Sequence, residues 1–156
     1  MNNKRRTFLK AAGTASSVAI AAAAGLIKPT EVMAVEWNKT AFEAKGIQDA
    51  LKAVGAASAA DSHDILIKAP DIAENGAVVP IEVSSKVAGT STIMLMVEKN
   101  PAPLIASFDL ANGAEGYVST RIKMGQTSNI RAVVKAGGKF YSASKEVKVT
   151  IGGCGG

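Results

Sequence analysis

From Ile65 to Ile151, glycine, proline and asparagine cut the chain into short apolar runs, and this punctuation excludes long helices over most of its length. The runs are Ile65-Leu66-Ile67, Val78 to Val83, Thr92 to Glu98, Leu104 to Leu110, Tyr117 to Lys123, Ile130 to Lys135 and Lys139 to Ser144. Asn75-Gly76, Asn100-Pro101-Ala102-Pro103, Asn112-Gly113, Gly125 and Gly137-Gly138 separate them. Several short strands with glycine turns between them predict a mainly β protein, an antiparallel β-sandwich. Pro80 cannot donate to a ladder, so its strand is expected at an edge or at a bulge. Thr92 to Glu98 is apolar almost throughout, as expected of a strand covered on both faces.

The last run, Glu146 to Ile151, alternates. Val147, Val149 and Ile151 fall on one face and Glu146, Lys148 and Thr150 on the other. Burying the apolar face anchors the strand by very roughly 1.5–3 kcal/mol per fully buried side chain. Directly after it come Gly152-Gly153-Cys154-Gly155-Gly156, which hold the only cysteine in the sequence. Glycine carries no Cβ, so this stretch has little conformational preference, and five extended residues reach about 17 Å. No neighbouring side chain can bury or cap the thiol. The pattern is a reactive sulfur on a slender, flexible arm rooted in a rigid strand.

Ahead of the strands, Glu36 to Val54 reads as largely helical. Phe42, Ile47, Leu51 and Val54 recur at helical spacings, with Ala41, Ala44 and Ala50 on the same side. Thr40 and Glu43 are placed for a capping box, Gly46 weakens the interior by about 1 kcal/mol, and Gly55 ends the helix. This amphipathic segment is expected to cover a face of its own sheet. Met94 and Met96 share a face beneath it or beneath a partner.

Residues 1–34 read as an address. A basic twin-arginine start, Lys4-Arg5-Arg6-Thr7-Phe8-Leu9-Lys10, leads into a mild alanine-rich run and then Val32-Met33-Ala34, compact residues suited to a cleavage site. The run is too short and mild for a membrane span, which needs about 20 strongly apolar residues. The start resembles the twin-arginine export signal, which implies folding before export, removal of the signal, a mature chain from Val35 and a periplasmic location. The whole chain carries 18 basic and 13 acidic residues, but the address takes five basic residues against one acidic. What remains has 13 basic and 12 acidic residues, too balanced to argue for nucleic acid or a membrane surface. The expected organisation is a signal over 1–34, a helical segment over 35–60, a β-sandwich over 61–151 and the arm over 152–156.

The residues through Val149-Thr150-Ile151-Gly152-Gly153-Cys154-Gly155-Gly156 resemble the carboxy-terminal signature of the SoxY family, the Y subunit of a sulfur-oxidation carrier complex. The resemblance continues through Pro70-Asp71-Ile72-Ala73-Glu74-Asn75-Gly76-Ala77-Val78-Val79-Pro80, Glu98-Lys99-Asn100-Pro101-Ala102-Pro103-Leu104 and Ser119-Thr120-Arg121-Ile122-Lys123-Met124. It implies an immunoglobulin-like fold and a periplasmic carrier working as a heterodimer with a smaller Z subunit. The cysteine matching Cys154 would hold the sulfur substrate covalently, with no cofactor or metal of the chain's own. The implied clients are a haem c enzyme that joins thiosulfate to the thiol, a manganese-dependent hydrolase that releases sulfate, and in many organisms a sulfane dehydrogenase. The Z surface is not legible; the 92–98 strand and the 36–54 helix are the apolar candidates.

Two other readings of Cys154 stay open at this point. A thiol-dependent oxidoreductase would use it as nucleophile, but that chemistry pairs the cysteine with a base or a resolving cysteine, and the only histidine, His63, is far upstream. An exported interaction module would use it to join two chains. Among the remaining polar residues, Asp61-Ser62-His63-Asp64 offers too few ligands for a metal and reads as a solvated loop. Arg121 and Lys123 share a strand face suited to an anionic thiosulfonate group, and a solvated face is the simpler account.

Overall fold

The computed structural model describes residues 37–150 except Asn112. The address over 1–34, the expected start at Val35, Ile151 and the arm over 152–156 lie outside the described residues.

The helical segment forms two short helices, α1 (Lys39–Glu43) and α2 (Ile47–Ala53), where the apolar spacing predicts one. Between them Ala44 (ψ 137°) and Gly46 (φ −135°, ψ 151°) are extended. The expected helix fails where its poorest helix former stands, and breaking there lets both halves lay apolar residues on one surface. The start of α1 differs from the expected Thr40 capping box: Asn38 is the cap, its Oδ1 accepting from the Ala41 N–H at 3.1 Å. Asn38 Nδ2 also donates to the Ala53 carbonyl at 3.1 Å, folding the pair into a hairpin. α2 ends at Gly55 as expected, because φ is +78° there. The Gly55 and Ala56 N–H groups donate to the Lys52 and Leu51 carbonyls, closing a Schellman motif.

Nine strands follow among the described residues: β1 (Ala60–Asp61), β2 (Ile65–Lys68), β3 (Ile72–Ala73), β4 (Val79–Ser85), β5 (Thr90–Val97), β6 (Leu104–Asp109), β7 (Tyr117–Ile122), β8 (Ser128–Ala136) and β9 (Lys139–Val149). They form two sheets, one ordered β1-β9-β8-β5-β6 with β3 also paired to β9, the other β2-β4-β7. The longer pairings are antiparallel, and the two sheets face each other as the sandwich the sequence predicts. Gly137 and Gly138 both take positive φ, 55° and 78°, in the two-residue turn that joins β8 to β9.

Three details depart from the sequence reading. The runs read as separate strands over 139–144 and 146–151 are one strand, β9, since Lys145 continues the ladder opposite Ile130. β1 and β3 pair with β9 in parallel, two residues each, too short to show any alternation. β4 is the middle strand of its sheet in spite of Pro80. β2 pairs only as far as Glu82, so at Pro80 the strand has β7 alone for a neighbour and is locally an edge.

The main core lies between the sheets, where Ile67, Ile81 and Val83 meet Ile93, Leu95, Val97, Ile130, Ala132, Val134 and Val147. A second core lies outside the larger sheet. There Met94, Met96 and Val133 pack under Ala41, Ala50, Leu51 and Ala56 of the helical hairpin. β5 is therefore covered on both faces, as its apolar run predicts. The same packing covers the apolar sides of the 92–98 strand and the 36–54 segment with each other, while Trp37 at the start of the segment stays exposed.

Candidate functional site

Cys154, Gly152, Gly153, Gly155 and Gly156 lie outside the described residues, so what the structure defines is the base from which they depart. That base is the end of β9. Val147 is fully buried, Val149 is partly buried against the core, and Glu146, Lys148 and Thr150 are exposed, which is the alternation expected of the last strand.

The surroundings of this strand end could not be read from the sequence. The ladder between β8 and β9 stops at Ser128 opposite Val147. Beyond it, a different set of groups takes the backbone. On one side, the Lys148 N–H donates to the Asp71 carbonyl at 3.0 Å and the Thr150 N–H to the Ala73 carbonyl at 3.2 Å. On the other, the Val149 N–H donates to Thr127 Oγ1 at 3.0 Å, and that hydroxyl lies 3.4 Å from the Val149 carbonyl, to which it donates.

Two further contacts hold the 69–76 segment against β9. Lys145 Nζ donates to the Ala69 carbonyl at 2.7 Å and pairs with Asp71 Oδ1 at 3.0 Å. Gly76 is wedged between Met124 and β9: a Cβ there would collide with the Met124 carbonyl oxygen and stand 2.8 Å from Val149 Cγ1. Its carbonyl accepts from the N–H of Met124, a fully buried residue. Asn75-Gly76 reads in sequence only as a turn, and nothing in the spacing pairs Thr127 with residue 149.

The other sequence candidates lie elsewhere. Arg121 and Lys123 line an open cleft of about 620 Å³ between the free edges of β6 and β7, with Ile105, Ile122, Asn100 and Pro101. Asn100-Pro101 is structural as expected: Asn100 Nδ2 donates to the Lys123 carbonyl at 2.8 Å, and its Oδ1 accepts from the Gly125 N–H at 3.2 Å. Glu98 is held by Arg131 at 2.9 Å and by Asn129 at 3.1 Å, so this carboxylate orders the β5–β8 pair. His63 is exposed in the turn between β1 and β2. Among the described residues no three His, Cys, Asp or Glu side chains are grouped to hold a metal ion.

The family model of the sulfur oxidation protein SoxY matches residues 50–154, a stretch that includes Gly76, Thr127 and Cys154. This chain belongs to the SoxY family. Among solved structures it is similar to the sulfur carrier protein SoxY from Chlorobium limicola f thiosulfatophilum. Identity is 44%, over 66% of this chain and 96% of that one, with a TM-score of 0.58. A superoxide reductase (neelaredoxin) from Ignicoccus hospitalis aligns at 20% identity over 56% of this chain and 81% of its own, with a TM-score of 0.49. No curated protein matches the chain. Within the matched stretch, residues 70–80 and 98–104 hold the end of β9 and the turn after β5, and 119–124 runs along β7 to the buried Met124.

Proposed function

We propose that this SoxY-family chain carries sulfur intermediates covalently on Cys154 in the periplasm, after export through the twin-arginine signal over 1–34. It presents them to successive enzymes and completes no reaction alone. The observation that carries this reading is the family match, which runs through the root of β9 to Cys154. The similarity to a protein named a sulfur carrier supports it.

In the loading step the Cys154 thiolate and the sulfane sulfur of thiosulfate form a sulfur–sulfur bond, and two electrons pass to the haem c enzyme. The product is a cysteine S-thiosulfonate. Water then attacks the terminal sulfur in the manganese-dependent hydrolase, which releases sulfate and two protons and leaves a persulfide on Cys154. A sulfane dehydrogenase oxidises that sulfur further. The chain's contribution is a thiolate with little bulk around it: exchange at sulfur depends on access and thiolate character, and glycines admit the thiol to a narrow active site. A Z subunit completes the carrier as its heterodimeric partner.

Intact mass spectrometry of the mature protein from thiosulfate-grown cells, with and without reductant, tests this. Reductant-sensitive additions of sulfur or thiosulfonate mass on Cys154, abolished in Cys154→Ser, are the expected result. Only free thiol and symmetric dimer in cells oxidising thiosulfate would overturn the carrier role in favour of an interaction module. Turnover by the purified chain alone would favour an oxidoreductase.

A further inference from the structure

We propose that Thr127 and the Asp71–Gly76 segment are positioning residues that fix where, and in which direction, the Cys154 arm leaves the domain. The inference rests on the carrier reading above. Strand ends that outrun their sheet fray unless tied down. β9 outruns β8 after Val147, yet the next three backbone N–H groups, Lys148 to Thr150, are all taken up. They alternate between the 71–73 carbonyls on one edge and a single side-chain hydroxyl on the other. Thr127, one residue ahead of β8, thus stands in for the backbone that β8 no longer supplies.

The close approach of Gly76 to Val149 and the grip of Lys145 on Ala69 and Asp71 bring the segment flush against the strand. The segment also closes the sandwich core, where Ala73 is buried and Val149 packs, and it stands directly ahead of the arm. A tethered group is presented at an effective concentration that falls roughly as the −3/2 power of tether length. Releasing Lys148 to Thr150 would move the last tied backbone N–H from four residues before Cys154 to seven and lower that concentration about twofold, before any loss of direction.

The test is Thr127→Val, which keeps the shape and removes the hydroxyl, with Thr127→Ser as the conservative rescue. In the full mature chain, hydrogen exchange at the Lys148, Val149 and Thr150 amides should accelerate by about fivefold, the value of one net hydrogen bond. The Ile93 and Leu95 amides should keep their wild-type rates. Thiosulfonate-loaded carrier offered to the sulfate-releasing hydrolase should show kcat/KM lowered by at least about twofold through KM, with kcat retained. Thr127→Ser should restore both readouts.

Acceleration spread evenly over all strands would overturn the inference, as would loosened 148–150 amides with unchanged kcat/KM. Gly76→Ala reaches the same root from the other side, and client kinetics unchanged in a folded Gly76→Ala protein with loosened 148–150 amides would also overturn it. Wild-type protein that never gains thiosulfonate on Cys154 would bring down the carrier reading itself. A loaded wild type with an unaffected Thr127→Val would bring down this inference alone.

Discussion

The two outer faces of the sandwich are built on opposite terms. The larger sheet turns Met94, Met96 and Val133 outward, and the α1–α2 hairpin buries all three. The smaller sheet turns outward Leu66, Ser84 and Tyr117 in one cross-strand row and Lys68, Glu82 and Ser119 in the next. Leu66 and Tyr117 are about half exposed, at 54% and 48%, and the Lys68–Glu82 pair at 3.6 Å lies in solvent. The first face is a second hydrophobic core that the fold requires. The second is a surface whose composition the fold leaves free, because the side chains that hold its strands point the other way, as Ile67, Ile81 and Val83 do.

A charge under the hairpin is the hardest test of this contrast. Val133→Asp places an unpaired carboxylate in the second core and should lower unfolding free energy by more than about 3 kcal/mol in urea titrations. A loss below about 1 kcal/mol there would show that the hairpin lifts off freely, and the contrast would fail. Asn38→Ala removes both the cap on α1 and the tie to Ala53, at a cost of about 1 kcal/mol. Its effect should fall on the amides of 39–53 and leave the sandwich unchanged in hydrogen exchange. On the bare face Leu66→Thr should move stability by no more than about 0.5 kcal/mol. A larger change there, in protein free of its partners, would mean that the outer row of the small sheet also packs.

Much of this architecture was legible. Five consecutive apolar residues, Ile93 to Val97, can be buried only between two layers, and both layers are present. The alternation from Glu146 onward placed Val147 in the core, and the glycine pair at 137–138 placed a tight hairpin. What could not be read depends on sites distant in sequence. Two-residue strands such as β1 and β3 have no period of their own and exist because β9 offers them an edge. The break at Ala44–Gly46 lies within an apolar periodicity that continues on both sides of it, so spacing alone suggested one helix. Thr127 looks like any turn threonine until residue 149 stands beside it. At the candidate site, therefore, the thiol and its glycines were visible in the sequence, and the structure supplied the grip on their base.

The placement of β9 also governs the order in which the chain can assemble. Among the described residues β1 and β3 have no strand partner but β9, and the side-chain bond from Ser142 to Asp61 spans 81 positions. Such long-range pairings place a fold among the slower β topologies, which form in milliseconds to seconds. On the ribosome, a nascent chain that has emerged only through β8 has neither β1 nor β3 paired, and residues 69–76 can meet Met124 but not yet β9. Completion waits for one of the last strands synthesised, and the contacts around residue 149 are among the final ones to form.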